Sequence, residues 1–259
     1  MGNMKWIVVV LALQGLALAQ DKINVPLSKP GQPVTLDLRL GNTSVTINAG
    51  TGNDVTLEIG SSKRTVKRKS QVPPGMKRID INPLGFEVDE KDNTITLRDR
   101  GNTDGPLVIT VPVKTSIIAK TTNCRFAASG LEGNVEIENA NGSINITKLA
   151  GAAVIHNRNG SITAELIRVA PDQAMSFTAV NGRVDVTLPA ATKAKLKLRA
   201  EHGAVYSDFP MAMEAGGKAE ASDGRYQVKM DRSVTATING GGPEYLFQSM
   251  NGSILIHKK

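Results

Sequence analysis

The sequence predicts an all-β protein, a right-handed parallel β-helix (β-solenoid) with irregular strands in its N-terminal part. Three observations favour this fold. Apolar and polar residues alternate in short runs along the chain, one turn motif recurs five times, and glycines recur every nine residues between positions 133 and 160. Such regularity is typical of identical units that stack and bury a shared core.

The alternating runs predict short β-strands. They are rich in Val, Ile, Thr and Leu, and Gly, Asn, Asp or Pro bound them. The N-terminal examples are VTLDLRL at 34–40, SVTIN at 44–48, DVTLEI at 54–59, NTITLRD at 93–99 and PLVITVPV at 106–113. We expect these strands either to continue the helix irregularly or to form a sandwich-like cap.

The turn motif keeps one form from about residue 131 onward: apolar-x-apolar, three residues, Asn-Gly, one residue, apolar-x-apolar. The first four copies lie 18, 22 and 21 residues apart. We expect the turn pairs to form the corners of successive coils, with apolar residues such as Ile144 and Ile146 directed inward. An Asn-Gly pair is also a strong hairpin signal, so a run of antiparallel hairpins is the alternative. The five pairs are Asn141-Gly142, Asn159-Gly160, Asn181-Gly182, His202-Gly203 and Asn251-Gly252.

The glycine spacing favours coils over hairpins. Gly133, Gly142, Gly151 and Gly160 are nine residues apart, so two nine-residue units make one coil. His202 stands where the other copies have Asn. Because Asn and His tolerate positive φ better than most residues, we expect positive φ before each corner glycine and interpret His202 as structural. The corner asparagines are expected to form an internal ladder of stacked amides.

The N-terminus predicts an export signal over residues 1–19. Lys5 precedes an apolar run from Trp6 to Leu18, and Ala17-Leu18-Ala19 is typical of a cleavage site. The run is shorter than the ~20 apolar residues that span a bilayer. We therefore expect a mature chain without a transmembrane span, located in the periplasm, at the cell surface or in the medium.

The mature chain divides by pattern into an N-terminal β region, 20–113, and a repeat region, 114–259. The first is expected to form a cap or early coils. Lys258 and Lys259 follow the last strand, where they would protect an open end of the solenoid from aggregation. Cys124 is the only cysteine, so no intramolecular disulfide forms, and we interpret it as a small buried apolar residue.

The net charge of +7 favours anionic partners such as envelope polymers. Aromatic residues make up 3% of the chain, which leaves few stacking platforms for nucleic acid. A basic run without acidic residues between Gly60 and Asp80 is the candidate anion-binding segment, and a solvated loop is its alternative interpretation. Its cations are Lys63, Arg64, Lys67, Arg68, Lys69, Lys77 and Arg78.

Catalytic and metal signatures are weak. Asn102-Thr103-Asp104 and His202-Gly203 match two motifs of polygalacturonase-like β-helix enzymes, but they are about a hundred residues apart and the paired Asp-Asp between them is missing. The three histidines lack zinc-site spacing, and no Asp lies between Asp104 and Asp172 to bind calcium in the repeat. We expect no metal, no cofactor and no enzymatic activity. A polysaccharide-active lyase or hydrolase is the alternative.

The chain resembles the bacterial putative-adhesin family, which began as a domain of unknown function. The resemblance covers about residues 23–259 and is most specific from residue 107. It implies an extracytoplasmic β-helix, similar to head regions of auto-transporter adhesins, that binds or scaffolds at the cell envelope through glycans, anionic polymers or surface proteins. It supplies no catalytic residues. The segments that carry it are LVITVPVKTSIIAKTTN, GNVEIENANGSINI, GAAVIHNRNGSITA and INGGGPEYLFQSMNGSILIHKK.

Overall fold

The structure, a computed structural model, describes residues 21–60, 85–100, 105–214, 219–222, 225–228 and 233–259. These residues form 23 β-strands and no helix. The first eleven strands are β1 Asp21–Val25, β2 Val34–Leu40, β3 Ser44–Gly50, β4 Val55–Ile59, β5 Phe86–Lys91, β6 Thr94–Asp99, β7 Leu107–Pro112, β8 Thr115–Asn123, β9 Arg125–Ser129, β10 Val135–Asn141 and β11 Ile144–Ala150.

The remaining twelve strands follow from residue 153. They are β12 Ala153–Asn159, β13 Ile162–Arg168, β14 Met175–Asn181, β15 Val184–Leu188, β16 Ala194–Ala200, β17 Val205–Ser207, β18 Ala212–Glu214, β19 Ala219–Ser222, β20 Arg225–Val228, β21 Val234–Ile238, β22 Glu244–Asn251 and β23 Ile254–Lys258. The expected all-β class is confirmed.

Two large, mostly parallel sheets contain all strands except the hairpin β19–β20. Sheet I has the order β18-β21-β16-β22-β14-β12-β10-β8-β2-β6-β5. Sheet II has the order β1-β4-β7-β3-β9-β11-β13-β15-β23-β17. Through most of the chain, a strand of sheet I is followed by a strand of sheet II, and we use "coil" for such a pair.

Coils that are neighbours in the stack pair in parallel, so the hairpin alternative is wrong for the Asn-Gly copies. Ile137 is opposite Ile155 in sheet I, and Ile144 is opposite Ile162 in sheet II. Alternate residues of each strand are buried between the sheets, as the burial of β10 and β12 shows. Side chains therefore stack in rows of similar apolar residues, which explains both the period of two and the recurrence of the repeat.

The order of coils in the stack differs from their order in the chain at both ends. Coil β2/β3 lies between β6/β7 and β8/β9. Coil β22/β23 lies between β14/β15 and β16/β17. The prediction that Lys258 protects an open solenoid end is therefore wrong, because β23 is paired on both sides. Antiparallel strands β1, β4 and β5 lie at one end of the stack, and β18 and β21 at the other.

One continuous apolar core runs through the stack. The returning coil contributes to it directly. Phe247 of β22 stacks on Phe177 of β14 with ring centroids 5.3 Å apart and planes 17° apart, a favourable aromatic geometry. Strands β2, β3, β6 and β7 extend the same two sheets and add their apolar residues to this core. Within the described residues, no helix is long and apolar enough to cross a membrane.

Candidate binding ridge

The Asn-Gly pairs lie where a strand of sheet I ends and a strand of sheet II begins, which we call the first corner. Asn141, Asn159, Asn181 and Asn251 are the last residues of β10, β12, β14 and β22. His202 follows β16 at the same end of sheet I, and its backbone N–H donates to the carbonyl of Met250 at 2.8 Å. The five turn copies are thus brought to one side of the molecule.

The corner asparagines form a hydrogen-bonded ladder. The side-chain amide of each donates to the amide oxygen of the preceding rung: Asn141 to Asn123 at 2.7 Å, Asn159 to Asn141 at 2.8 Å, and Asn181 to Asn159 at 2.7 Å. The series continues with Asn251 bonded to Asn181 and with Asn123 bonded to Asn42. The expected internal position is wrong, because the ladder lies on the outside of the corner. We call it the asparagine ridge.

A second polar row lies inside the same corner. Asn139 and Asn157 are fully buried, and Asn139 donates to the amide oxygen of Asn157 at 3.2 Å. Asn157 also donates to the carbonyls of Gly142 at 2.9 Å and Gly160 at 2.8 Å. Because a buried carbonyl without a partner is costly, this row satisfies the backbone where the chain bends. The alternation of apolar and polar residues in the sequence did not predict that this row is polar and buried.

The corner glycines are required by close backbone stacking. A Cβ on Gly160 would overlap the carbonyl oxygen of Gly142, and one on Gly182 would overlap that of Gly160. Gly133 and Gly151 stack in the same way on the opposite side of the coil, which explains the nine-residue spacing. The expectation of positive φ before these glycines is wrong. Neither the corner asparagines nor His202 has positive φ, whereas Gly142 and Gly160 do, at 119° and 133°.

Cations surround the ridge. Arg125, Arg158 and Arg183 are exposed and lie one or two residues from ladder asparagines. Within the described part of the chain none of the three has an ion-pair partner. Lys120 lies on the same face, 4.0 Å from Glu138. Guanidinium groups of this kind bind carboxylate and phosphate oxygens through paired hydrogen bonds.

A shallow groove of about 230 Å³ lies beside the ridge. Side chains of three neighbouring strands line it, among them Lys120, Glu138, His156 and Arg158. Its floor includes Asn139 of the buried row. The groove therefore offers cationic donors at its sides and an acidic group between them. In the described ranges no three His, Cys, Asp or Glu side chains come together as a metal-binding group.

Several predicted residues lie outside the described ranges. This applies to the whole basic run, Lys63 to Arg78, to Asn102-Thr103-Asp104, and to the export signal. The structure therefore does not test whether Asn102-Thr103-Asp104 and His202-Gly203, the two polygalacturonase-like matches, come together. The cations at the ridge were not singled out by the sequence, because Arg125, Arg158 and Arg183 are far apart in the chain.

Cys124 occupies the position that glycine has in the following coils. It is fully buried, and burial raises the pKa of its thiol to about 11. A thiol with so high a pKa is protonated near neutral pH and a poor nucleophile. Its surroundings are those of a buried apolar residue.

The solved structures that resemble this chain are distant from it in sequence. No curated protein matches the chain. A crystal structure described as a putative cell adhesion protein from Clostridium sporogenes ATCC 15579 is 12% identical, with a TM-score of 0.44 over 93% of this chain and 100% of that one. Another, described as a putative adhesin from Bacteroides fragilis NCTC 9343, is 12% identical, with a TM-score of 0.33 over 94% and 98%.

The family assignment rests on the repeat region. The matching family model spans residues 114–241, from the start of β8 to the turn after β21. It includes Asn123, Asn141, Asn159 and Asn181 of the asparagine ridge and lacks the returning coil β22/β23. The resemblance seen in the sequence is confirmed for this segment, which matches the model of the Toastrack DUF4097 family.

Proposed function

We propose that the protein is an exported, non-enzymatic β-solenoid of right-handed winding that binds at the cell envelope as an adhesin or scaffold. We further propose that it contacts anionic, hydroxyl-bearing polymers along the asparagine ridge. The observation that carries this proposal is the six-membered ladder of exposed and half-buried amides, flanked by arginines that have no ion-pair partner among the described residues. Four of the six rungs, Asn123, Asn141, Asn159 and Asn181, lie in the segment that the family model matches.

The ridge suits a polymer because its groups repeat at the spacing of β-strands, ~4.8 Å. The hydrogen bonds between rungs hold each amide in one orientation before a ligand arrives. A bound chain would then meet many equivalent weak contacts at once, and the combined affinity exceeds that of any single contact. A rigid ladder also loses little conformational entropy on binding.

The chemistry of the ridge favours an acidic glycan. Each inner amide oxygen accepts one ladder bond and keeps a second lone pair for a sugar hydroxyl. Asn141 and Asn159 also direct amide hydrogens to the carbonyls of Thr122 and Ala140, so their oxygens are the groups left for a ligand. The arginines supply donors for carboxylate or phosphate.

The decisive experiment is a binding assay with the chain from Gln20 onward, which contains every described core residue. Polygalacturonate, teichoic acid and a neutral glucan are immobilised and binding is measured at low and high salt. In the ridge variant, Arg125, Arg158 and Arg183 are each changed to Glu. We expect about tenfold or more weaker binding to the acidic polymers, because three attractive contacts become repulsive. Salt should reduce the difference.

A matched control changes Lys91, Lys114 and Lys197 to Glu, which are exposed and lie away from the ridge. It alters net charge by the same amount and should bind nearly as well as the unchanged protein. Equal losses of affinity in both variants would show that only net charge matters and would refute binding at the ridge.

Reversal of the charges of Lys67, Arg68 and Lys69 tests the basic run separately. Release of reducing ends from any polymer would overturn the non-enzymatic part of the proposal.

Export is tested independently of binding. The chain with its native N-terminus is expressed in a bacterium, cells are fractionated, and the N-terminus of the mature protein is sequenced. We expect cleavage before Gln20, and protease treatment of intact cells then separates surface exposure from a periplasmic location. An uncleaved, cytoplasmic protein would contradict the proposed location.

A further inference from the structure

A cavity of about 410 Å³ lies on the side opposite the asparagine ridge, where strands of sheet I begin. We call it the corner cavity. Its volume is in the range of small-molecule sites. Most of its wall is apolar, formed by Ile167, Val169, Pro171, Pro189, Ala191 and Pro243.

The cavity exists because the regular second corner, from a strand of sheet II to the next strand of sheet I, is replaced by longer segments. Between β11 and β12 this corner consists of only Gly151 and Ala152. Segments 169–174 and 189–193 lead from sheet II into β14 and β16, and segment 239–243 connects β21 to β22 within sheet I. Strands β14, β22 and β16 are neighbours in sheet I. Three long segments thus meet side by side, and their prolines cannot pair as strands do.

Two buried hydroxyl groups at this cavity have no hydrogen-bond partner among the described residues. They belong to Tyr245, which is 0% exposed, and Thr192, which is 2% exposed, and both residues line the cavity. In the row that contains Tyr245, its neighbours are Met175 and Leu196. An apolar residue at position 245 would therefore satisfy the packing of this row. A buried hydroxyl that has lost water without gaining a hydrogen-bond partner destabilises the fold. The two hydroxyls therefore indicate a ligand that carries a polar group.

The positive charge at the opening of the cavity indicates the chemical class of the ligand. Lys193 and Arg168 are exposed and both line the cavity. Arg168 lies 3.6 Å from Glu132, whereas Lys193 has no ion pair within the described ranges. None of the described residues that line the cavity is acidic. An apolar wall, two hydroxyls and a cationic mouth fit a molecule with a hydrocarbon body and an anionic oxygen group.

We propose that the corner cavity is a binding site for an amphipathic carboxylate. The hydrocarbon body packs on the proline, isoleucine and valine wall, the carboxylate interacts with Lys193, and the hydroxyls of Tyr245 and Thr192 donate to its oxygens. Burial raises the pKa of Tyr245, which keeps this hydroxyl protonated as a donor. The site is separate from the ridge and does not depend on the proposed polymer binding.

The test is calorimetric titration of the chain from Gln20 onward with decanoate below its micellar concentration. We expect one site with a Kd of about 0.1 mM, the order expected of a ligand of this size. Decanol and decyltrimethylammonium should bind at least about tenfold more weakly, since neither gains the charge-assisted bond. Absence of saturable decanoate binding, or equal binding of decanol, would overturn the proposal.

Variants separate the site from general hydrophobic adsorption. Ile167→Glu places a carboxylate at the cavity and should weaken decanoate binding about tenfold through repulsion. Val154→Glu is the matched control, because Val154 is 48% exposed, Ile167 is 52% exposed, and Val154 does not line the cavity. Equal effects of the two changes would refute the site.

Tyr245→Phe tests the role of the hydroxyl. It keeps the ring and removes only the orphaned group, so decanoate binding should weaken about tenfold while the thermal unfolding midpoint stays the same or rises. Unchanged affinity for decanoate would show that the Tyr245 hydroxyl does not take part in binding. The ridge variant should bind decanoate normally, so failure of the ridge proposal and failure of this one give different results.

Discussion

The two corners of a coil connect the same two sheets, yet only the first keeps one geometry from β10 to β22. At the first corner, an outer amide ladder and stacked glycines continue from coil to coil, while the inner polar row of Asn139 and Asn157 is interrupted by Ala179 in β14. At the second corner, the stacked pair Gly133 and Gly151 gives way to longer segments and an open cavity. A repeat is maintained where each backbone must fit directly on the previous one, and it varies where this constraint ends.

The largest expected effect comes from filling the space between stacked backbones at the first corner. Gly160→Ala combines positive φ with overlap on the carbonyl of Gly142, so the free energy of unfolding should fall by about 3 kcal/mol. Gly241→Ala is the counterpart beside the cavity. Its φ is 85°, but the nearest atom to the added Cβ is the Thr237 methyl at 3.3 Å, and about 1 kcal/mol is expected. Urea denaturation measures both, and equal losses would contradict the distinction.

The inner polar row should matter more than the outer ladder. Asn157→Ala leaves the carbonyls of Gly142 and Gly160 without its amide and opens a void, for a loss between about 2 and 3 kcal/mol. Asn141→Ala removes an exposed rung and should cost about 0.5 kcal/mol or less. If urea denaturation ranks the two the other way, the exposed ladder is the main structural element and its role as a ligand surface loses support.

Cys124 gives the first corner a predictable pH response. Burial raises the pKa of its thiol from about 9 to about 11. The contribution of the buried, protonated thiol to the free energy of unfolding is therefore fully present below pH 9 and is lost as the pH rises through 11. In that window the unfolded chain ionises while the folded one keeps its proton, so stability falls by up to about 2 kcal/mol. Urea denaturation between pH 8 and 11 should show this decline in the unchanged protein relative to Cys124→Ala. Parallel curves would refute it.

The smallest effect is expected on the second-corner side, where two buried threonines differ in hydrogen bonding. The hydroxyl of Thr115 donates to the carbonyl of Pro112 at 2.6 Å, so Thr115→Val should cost about 1 kcal/mol. The hydroxyl of Thr192 has no partner in the described part of the protein, so Thr192→Val should be neutral or stabilising. Thermal unfolding of the pair checks this, and a large loss for Thr192→Val would show that its hydroxyl is satisfied.

The candidate sites were predictable only in part. The Asn-Gly pattern located the first corner, because turn chemistry and strand alternation are local properties. It did not reveal the arginines around the ridge, which approach each other only when coils stack. The corner cavity had one local signal, the spacing of 22 rather than 18 residues between Asn159 and Asn181, which contains Pro171. Its other walls, such as Pro189 and Pro243, come from distant segments that meet in the tertiary structure.

The sequence by itself located strands and corners in the repeat region and favoured parallel stacking of the repeat copies, because the alternation and the regular glycine spacing suit coils that bury shared apolar rows. Only the tertiary structure decided the order of the coils. Every coil presents a similar apolar pattern, so β22/β23 would bury its residues beside many neighbours, and local preference does not distinguish them. Its position between β14/β15 and β16/β17 depends on specific long-range contacts, including the stacking of Phe247 on Phe177.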